Sequence, residues 1–478
     1  MPPPHSRRNL LLVSFDQWRG DWCDPFDKVV DLPNIEGLAA EGWTARRCYT
    51  ASPMCVPARF SWLTGLHPSE VGVTGHRIVD LKADAPSILR PLQQAGWHTE
   101  LIGKSHLTAH TDGRDLRSEE PRLRQLGFDR VLEIGGPRAL RTVDCVLTDA
   151  WEAAGVRDRL RDDLDQRYVD GRQPPAWEVR STTLPTELYP DVWLGDQAVQ
   201  CIGELPGDRP WIAYVSFAGP HEPFDTPPPW AGRHASADLP EATPEPPWMR
   251  ALPARSTTRR TRESWGDRVT AEATDACRRD YADHLQLLDD QLGALLTALE
   301  RRTDAERTDV VVTADHGELL GDAGMLYKGA FLEGAVRVPW IHRPAPCVDA
   351  PRGESHAGPV GLTPLLAECM RHQTSDEGFH ALVAATERTS HVVSEYEDEV
   401  MVVAGPHKLV VDRKGRPLWA TDLENDPLEQ ENVITAHPRE WDMAPCWRAL
   451  RQHASEHFQN VRKRGFGWMR RRHIERVR

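Results

Sequence analysis

Four short runs rich in Val, Leu and Ile punctuate the chain: NLLLVSF from Asn9, HTELIG from His98, WIAYVSF from Trp211 and DVVVTA from Asp309. Apolar runs of this length, without a helical period, read as strands buried on both faces. Between them the period changes. From Asp280 to Leu299 (DYADHLQLLDDQLGALLTAL), Leu285, Leu288, Leu292, Leu295 and Leu296 recur at helical spacing. Strands alternating with amphipathic helices over this length predict an α/β fold with a large, mostly parallel central sheet and helices on both faces. Near the C-terminus, HKLVVD and PLWATD flank Arg413-Lys414-Gly415-Arg416, which reads as a hairpin with a glycine-containing turn. A helix-rich end follows. The expected division is a large domain over 1–384 and a smaller α+β domain over 385–478. Two stretches break the pattern. The segment near 114–186 is charged and interrupted by Gly135-Gly136 and Pro174-Pro175, and the segment near 227–267 is rich in Pro, Arg and Thr. Both read as long surface excursions, of the kind that form lids, substrate walls or mobile insertions.

Composition narrows the class. A chain of 478 residues with 40% apolar content can bury a sizeable core. No apolar run reaches the roughly 18 residues of a membrane span. The first run ends at Phe15 and Asp16 follows at once, with no small-residue cleavage site, so it reads as a strand and not as a secretion signal. The nine cysteines are scattered without a Cys-x-x-Cys pair, which suggests reduced thiols. Together these predict a cytoplasmic protein with no membrane partner. A net charge of −14 argues against a nucleic-acid surface. The exception is the basic tail from Val461 (VRKRGFGWMRRRHIERVR), which reads as a solvated tail, a subunit contact in a homo-oligomer or a polyanion contact.

Polar residues follow each buried run. Asp16 and Gln17 come after the first, Lys104 and His106 after the second, His221 (in GPHEPF) after the third, and Asp315 and His316 after the fourth. In open parallel sheets the ligand crevice lies beyond the carboxyl ends of the strands, so these residues are expected to converge. Asp16, Gln17, Asp315 and His316 offer two carboxylates, an amide oxygen and an imidazole. That mainly oxygen set suits Ca²⁺ or Mg²⁺, while the imidazole leaves Zn²⁺ or Mn²⁺ open. Taken alone, each pair also fits turn or helix-capping chemistry. The seventeen tryptophans raise the prospect of an aromatic cation-binding wall, although most tryptophans serve packing.

One further stretch is SPMCVPAR, in which Cys55, Pro57 and Arg59 are followed by Leu63-Thr64-Gly65. Cys-x-Pro-x-Arg resembles the sulfatase signature of the alkaline-phosphatase-like superfamily. SFDQ, GKSHL, GPHEPF, ADHGELLGDAGMLYKGAFLEGAVRVP and the late DLENDPLEQENV also resemble that family's motifs, in its order and across nearly the whole chain. The resemblance implies that a formylglycine-generating enzyme converts Cys55 to Cα-formylglycine, and that the hydrated aldehyde attacks sulfur in a small-molecule sulfate ester. The catalytic set it implies is Cys55, Arg59, Lys104, His106, His221 and Lys328. Lys104 and Lys328 would bind sulfate oxygens, His221 would protonate the leaving alcohol, and His106 would assist release of sulfate. Asp16, Gln17, Asp315 and His316, with residue 55, would hold one divalent metal, by family preference Ca²⁺, with Mg²⁺ or Mn²⁺ as alternatives. Gln17 and His316 depart from the Asp and Asn that many members carry. In this the chain resembles the branch of choline-sulfatase-like and phosphonate monoester hydrolase-like enzymes, so a phosphonate monoester or phosphodiester hydrolase with the same site is the alternative.

Overall fold

The computed structural model describes residues 7–22, 28–169, 175–373, 378–436 and 443–457. Cys23 and the basic tail from Val461 lie outside them. The described residues form two sheets. The larger comprises β1 (Asn9–Phe15), β2 (Trp43–Tyr49), β3 (His98–Gly103), β4 (Arg130–Glu133), β5 (Trp211–Ser216), β6 (Thr308–Ala314), β7 (Arg337–Val338), β8 (Trp340–Arg343) and β9 (Glu354–Gly361). Their spatial order is β4-β3-β5-β1-β6-β8-β2-β7, with β9 also paired to β2. From β4 through β6 every pairing is parallel, whereas β8 runs antiparallel to both β6 and β2.

The apolar runs explain this core. All residues of β1 are buried, and Val13 lies level with Val215 on β5 and Val312 on β6. The four strands expected from the sequence are neighbours in the order β3-β5-β1-β6, so their carboxyl ends share one edge. The 114–186 segment supplies β4, which extends this parallel block.

Helices flank the sheet. Those that bear on the site are α1 (Cys55–Thr64), α2 (Pro190–Glu204) and α3 (Ala271–Glu300). α1 is buried along its whole length and ends at Gly65, whose φ of 70° is the left-handed cap that glycine adopts most easily. α3 contains the predicted helical stretch but starts earlier, because Thr270 Oγ1 caps it by accepting from the Ala273 N–H at 3.2 Å. Its Leu285, Leu288, Leu292 and Leu295 are fully buried, and α3 packs against α2.

The smaller sheet is antiparallel, in the order β10 (Val392–Tyr396), β11 (Glu399–Ala404), β12 (His407–Asp412) and β13 (Pro417–Asp422). The expected hairpin forms as β12 and β13. Alternation on β11 divides its side chains between two cores. Met401 and Val403 join the main core, while Val400, Val402 and Ala404 pack with Cys446, Ala449 and Leu450 of α4 (Ala444–His457). Lys408, fully buried on β12, pairs with Glu333 at 2.6 Å and Glu429 at 2.7 Å and ties this sheet to the turn before β7. The eight cysteines among the described residues are free, and among those residues no helix is long and apolar enough to cross a membrane.

Candidate active site

The residues singled out in the sequence meet at the shared strand edge. β1 delivers Asp16 and Gln17, β3 delivers Lys104 and His106, β5 leads to His221, and β6 delivers Asp315 and His316. α1 brings Cys55 and Arg59 to the same place, and the loop after β6 brings Lys328. A cavity of about 600 Å³ opens above them, lined by Cys55, Lys104, His106, His221 and Lys328. Asp16, Gln17, Asp315 and His316 are fully buried at its base.

Arg59 organises that base. Its Nε donates to Asp315 Oδ2 at 2.7 Å and its Nη2 to Asp16 Oδ2 at 3.0 Å. Its Nη1 donates to the Lys104 carbonyl at 2.6 Å and to Ser216 Oγ at 2.9 Å. One guanidinium therefore contacts the ends of β1, β3, β5 and β6. Lys104 Nζ also pairs with Asp16. Burial alone would raise the Asp16 carboxyl, but Lys104 and Arg59 outweigh it and hold the group well below the usual carboxylate range.

The donor set fits a divalent cation. Ligand atoms of Asp16, Cys55, Asp315 and His316 all lie within 4.8 Å of one another. Buried Asp16 Oδ1 has no hydrogen-bond partner among the described residues. His316 Nδ1 faces the Gly317 carbonyl at 2.9 Å, which places the proton on Nδ1 and leaves the Nε2 lone pair pointing inward. Cys55 Sγ stands 3.3 Å from that Nε2. Burial would raise the Cys55 thiol, yet Lys328 and His316 bring it below its ordinary value. Gln17 sits beside this set, with its amide strapped on both sides. Its Oε1 accepts from Lys328, while its Nε2 donates to Glu222 Oε2 at 3.0 Å and to Glu318. Burial and the Glu222 charge push Glu318 up to about 7.

His221 Nδ1 lies 2.8 Å from the Glu222 carbonyl oxygen, which leaves its Nε2 for the cavity. Burial lowers His221 to about 3, with Lys328 and Lys104 adding to the effect and Glu222 opposing it. His106 adopts a positive φ of 53° and packs against His110, with ring centroids 4.5 Å apart. Burial and Lys104 hold it well below its ordinary value. Gly136 permits this packing, because a Cβ there would lie 3.0 Å from Lys104 Cε and 3.3 Å from His106 Nε2.

Three residues of the site escaped the sequence reading. Glu222 and Glu318 flank Gln17, and their signal was position alone, since each lies within two residues of a residue already chosen. Arg138 follows β4 on the cavity wall, at a fifth strand end hidden inside a charged segment.

Comparison with known proteins places this geometry. The family model described as Sulfatase matches residues 8–368. An arylsulfatase of Clostridium perfringens (strain 13 / Type A) is 24% identical over 450 residues, covering 90% of each chain. A choline-sulfatase of Rhizobium meliloti (strain 1021) is 28% identical over 462 residues, covering 90% of this chain and 83% of the relative. Among solved structures, the phosphonate monoester hydrolase of Agrobacterium radiobacter superposes with a TM-score of 0.69 at 21% identity over 96% of each chain. A phosphonate monoester hydrolase from Silicibacter pomeroyi gives 0.71 at 20% identity, over 95% of this chain and 97% of that one. Identities this low in solved structures speak to the fold alone.

Proposed function

This chain belongs to the sulfatase family, a family of hydrolases, and we infer that it cleaves a sulfate monoester to an alcohol and inorganic sulfate, with residue 55 as nucleophile once Cys55 has become Cα-formylglycine. The observation that carries this reading is the setting of Cys55. It opens a buried helix, faces His316 Nε2, shares a donor cluster with Asp16 and Asp315, and borders a cavity flanked by two lysines. In this reading 1–384 is the catalytic domain, 385–478 the smaller one, and a formylglycine-generating enzyme is the maturation partner.

A divalent cation held by Asp16, Asp315, His316 and residue 55, with Gln17 alongside, would supply charge withdrawal from the sulfuryl oxygens and favour the ionised nucleophile; Ca²⁺ is the first choice, with Mg²⁺ or Mn²⁺ next. Lys104 and Lys328 offer ammonium groups to the anionic oxygens of the ester. Each is held from behind, by Asp16 and Gln17 respectively, so both are positioned before substrate arrives. Burial, with the two lysines adding to it, favours the neutral form of His221. An anionic ester between the lysines would offset their share of that shift, and Nε2 is the nitrogen placed to carry a proton to the leaving alcohol. His106, kept neutral by burial and Lys104, is suited to accept a proton from residue 55 as sulfate departs.

The second reading is a phosphonate monoester or phosphodiester hydrolase with the same residues. Gln17 and His316 leave it open, because the branch they resemble holds choline-sulfatase-like and phosphonate monoester hydrolase-like enzymes alike. Paired substrates decide between them: 4-nitrophenyl sulfate and 4-nitrophenyl phenylphosphonate. The protein is metal-loaded, its Cys55 peptide shown by mass to carry the aldehyde, with Cys55→Ala as control. Faster sulfate release with a dead control supports the first reading. Faster phosphonate cleavage moves the activity to the second. Aldehyde-bearing, metal-loaded protein that turns over neither ester removes both.

A further inference from the structure

Beyond Lys104 and Lys328 the cavity is bounded by the end of β4. There the chain passes through Gly135-Gly136 and sets Arg138 on the cavity wall, its side chain 37% exposed. The guanidinium lies between two phenol rings, 4.7 Å from the Tyr168 centroid and 4.7 Å from that of Tyr327. One edge pairs with Glu222 Oε1, and Glu222 is anchored in turn by Gln17. Nε and Nη2 are buried, so the exposed part of the side chain lies outside those two nitrogens. The same lining carries apolar groups, Trp265, Ile78 and Val79, of which Ile78 is 56% exposed, and a second arginine, Arg141.

This arrangement selects by charge. A site for a cationic alcohol needs open aromatic faces and an unpaired carboxylate. Here Arg138 itself covers the faces of Tyr168 and Tyr327, and Glu222 is already paired. The other cavity carboxylate, Asp112, is exposed and accepts from the neutral Thr142 Oγ1 at 2.9 Å, so it keeps its charge, but Arg141 on the same lining adds a further cation beside Arg138, Lys104 and Lys328. What remains is a guanidinium on the same lining as Arg141, Ile78 and Val79, a mixture of cationic and apolar groups that suits carboxylates and related anions on an apolar body. His76 on the same cavity senses the field: burial, then Lys328 and Arg138, hold it below its ordinary value.

We propose that the ester this chain cleaves has an apolar alcohol part bearing a second anionic group, and that Arg138 binds that group; this rests on the hydrolase reading above. Arg138 is then a specificity-determining residue, separate from the two lysines that face the scissile group.

The test uses phenyl sulfates carrying a 4-carboxymethyl, 4-ethyl or 4-(trimethylammonio)methyl substituent, the methylene keeping the phenol acidities close. The same alcohols are presented as phenylphosphonates. In the native protein the carboxylate ester should exceed the ammonium ester in kcat/KM by about tenfold or more, the gap narrowing with added salt. Arg138→Gln should bring that ratio close to one, and Arg138→Lys should keep most of it. Binding of the free phenols to the Cys55→Ala protein by calorimetry reads the same preference without turnover, so the charge selection is tested even if no ester is cleaved. A native ratio near one, a preference for the ammonium compound in turnover or binding, or a ratio that survives Arg138→Gln would overturn the proposal while leaving hydrolysis intact. Absence of turnover across both ester series, with the carboxylate still bound preferentially, would sink the hydrolase reading and leave the anion site standing.

Discussion

Replacing Arg59 with methionine removes one charge, keeps most of the volume and tests how the strand edge is held together. Arg59 is 2% exposed, and both of its carboxylate partners are fully buried, so solvent does not screen these pairs. Removing one partner of a buried ion pair costs about 3–5 kcal/mol, because the other charge is left without compensation. Asp16 keeps Lys104, so the loss rests mainly on Asp315, together with the donors lost at the Lys104 carbonyl and Ser216 Oγ. We therefore expect a loss near the low end, about 3 kcal/mol at pH 7 in metal-free protein, read from urea unfolding. The pH dependence has a defined sign. Burial raises Asp315 but Arg59 brings it below its ordinary value, and Asp16 is lowered well below its own. Such groups contribute stability that is present above the unfolded carboxyl pKa of about 3.9 and is lost as pH falls through the lower folded value. In Arg59→Met those folded values rise, so the deficit should be largest at pH 7 and shrink below about pH 4. A divalent cation that binds only the folded form should narrow it at neutral pH by mass action. A deficit under about 1 kcal/mol at pH 7, or one equally large at pH 3.5, would show that the two carboxylates do not depend on Arg59.

Gly136→Ala places a methyl 3.0 Å from Lys104 Cε and 3.3 Å from His106 Nε2; we expect at least about a tenfold loss in kcat/KM on the better 4-nitrophenyl ester, with an unfolding midpoint close to native. Asp280 is raised to about 7 chiefly by burial, so the folded state binds its proton more tightly than the unfolded chain and stability falls as pH rises from about 4 to 7. Asp280→Asn should flatten that fall in pH-resolved thermal melts, and an unchanged slope would refute the assignment. Lys408→Met leaves Glu333 and Glu429 facing each other without their cation, so about 3 kcal/mol of stability should go, with faster amide exchange on β12 and β13 than on β1.

The convergence of the polar residues was readable where strand pattern and residue type coincided. β1, β3, β5 and β6 announce themselves by buried Val, Leu and Ile, and the rule that ligands gather beyond carboxyl ends turns four distant motifs into one site. Their order β3-β5-β1-β6 was not readable, because adjacency depends on which strand edges pair, not on any local propensity. β4 failed the pattern for a physical reason. RVLE is four residues long, carries charges at both ends and sits at the sheet edge with only Glu133 buried, so it needs little hydrophobic signal. The residue it delivers, Arg138, was lost with it. Gln17 shows a different limit. Its sequence position is that of a ligand, but the structure straps its amide between Lys328, Glu222 and Glu318, and only the folded contacts reveal that two buried acids and a lysine are orienting one side chain. Glu222 links that strap to Arg138, so the wall that meets the alcohol and the base beside the nucleophile share one carboxylate. A change of charge at Arg138 should therefore be felt at Gln17, which is why Arg138→Lys, and not only Arg138→Gln, is needed to separate substrate selection from disturbance of the site's base.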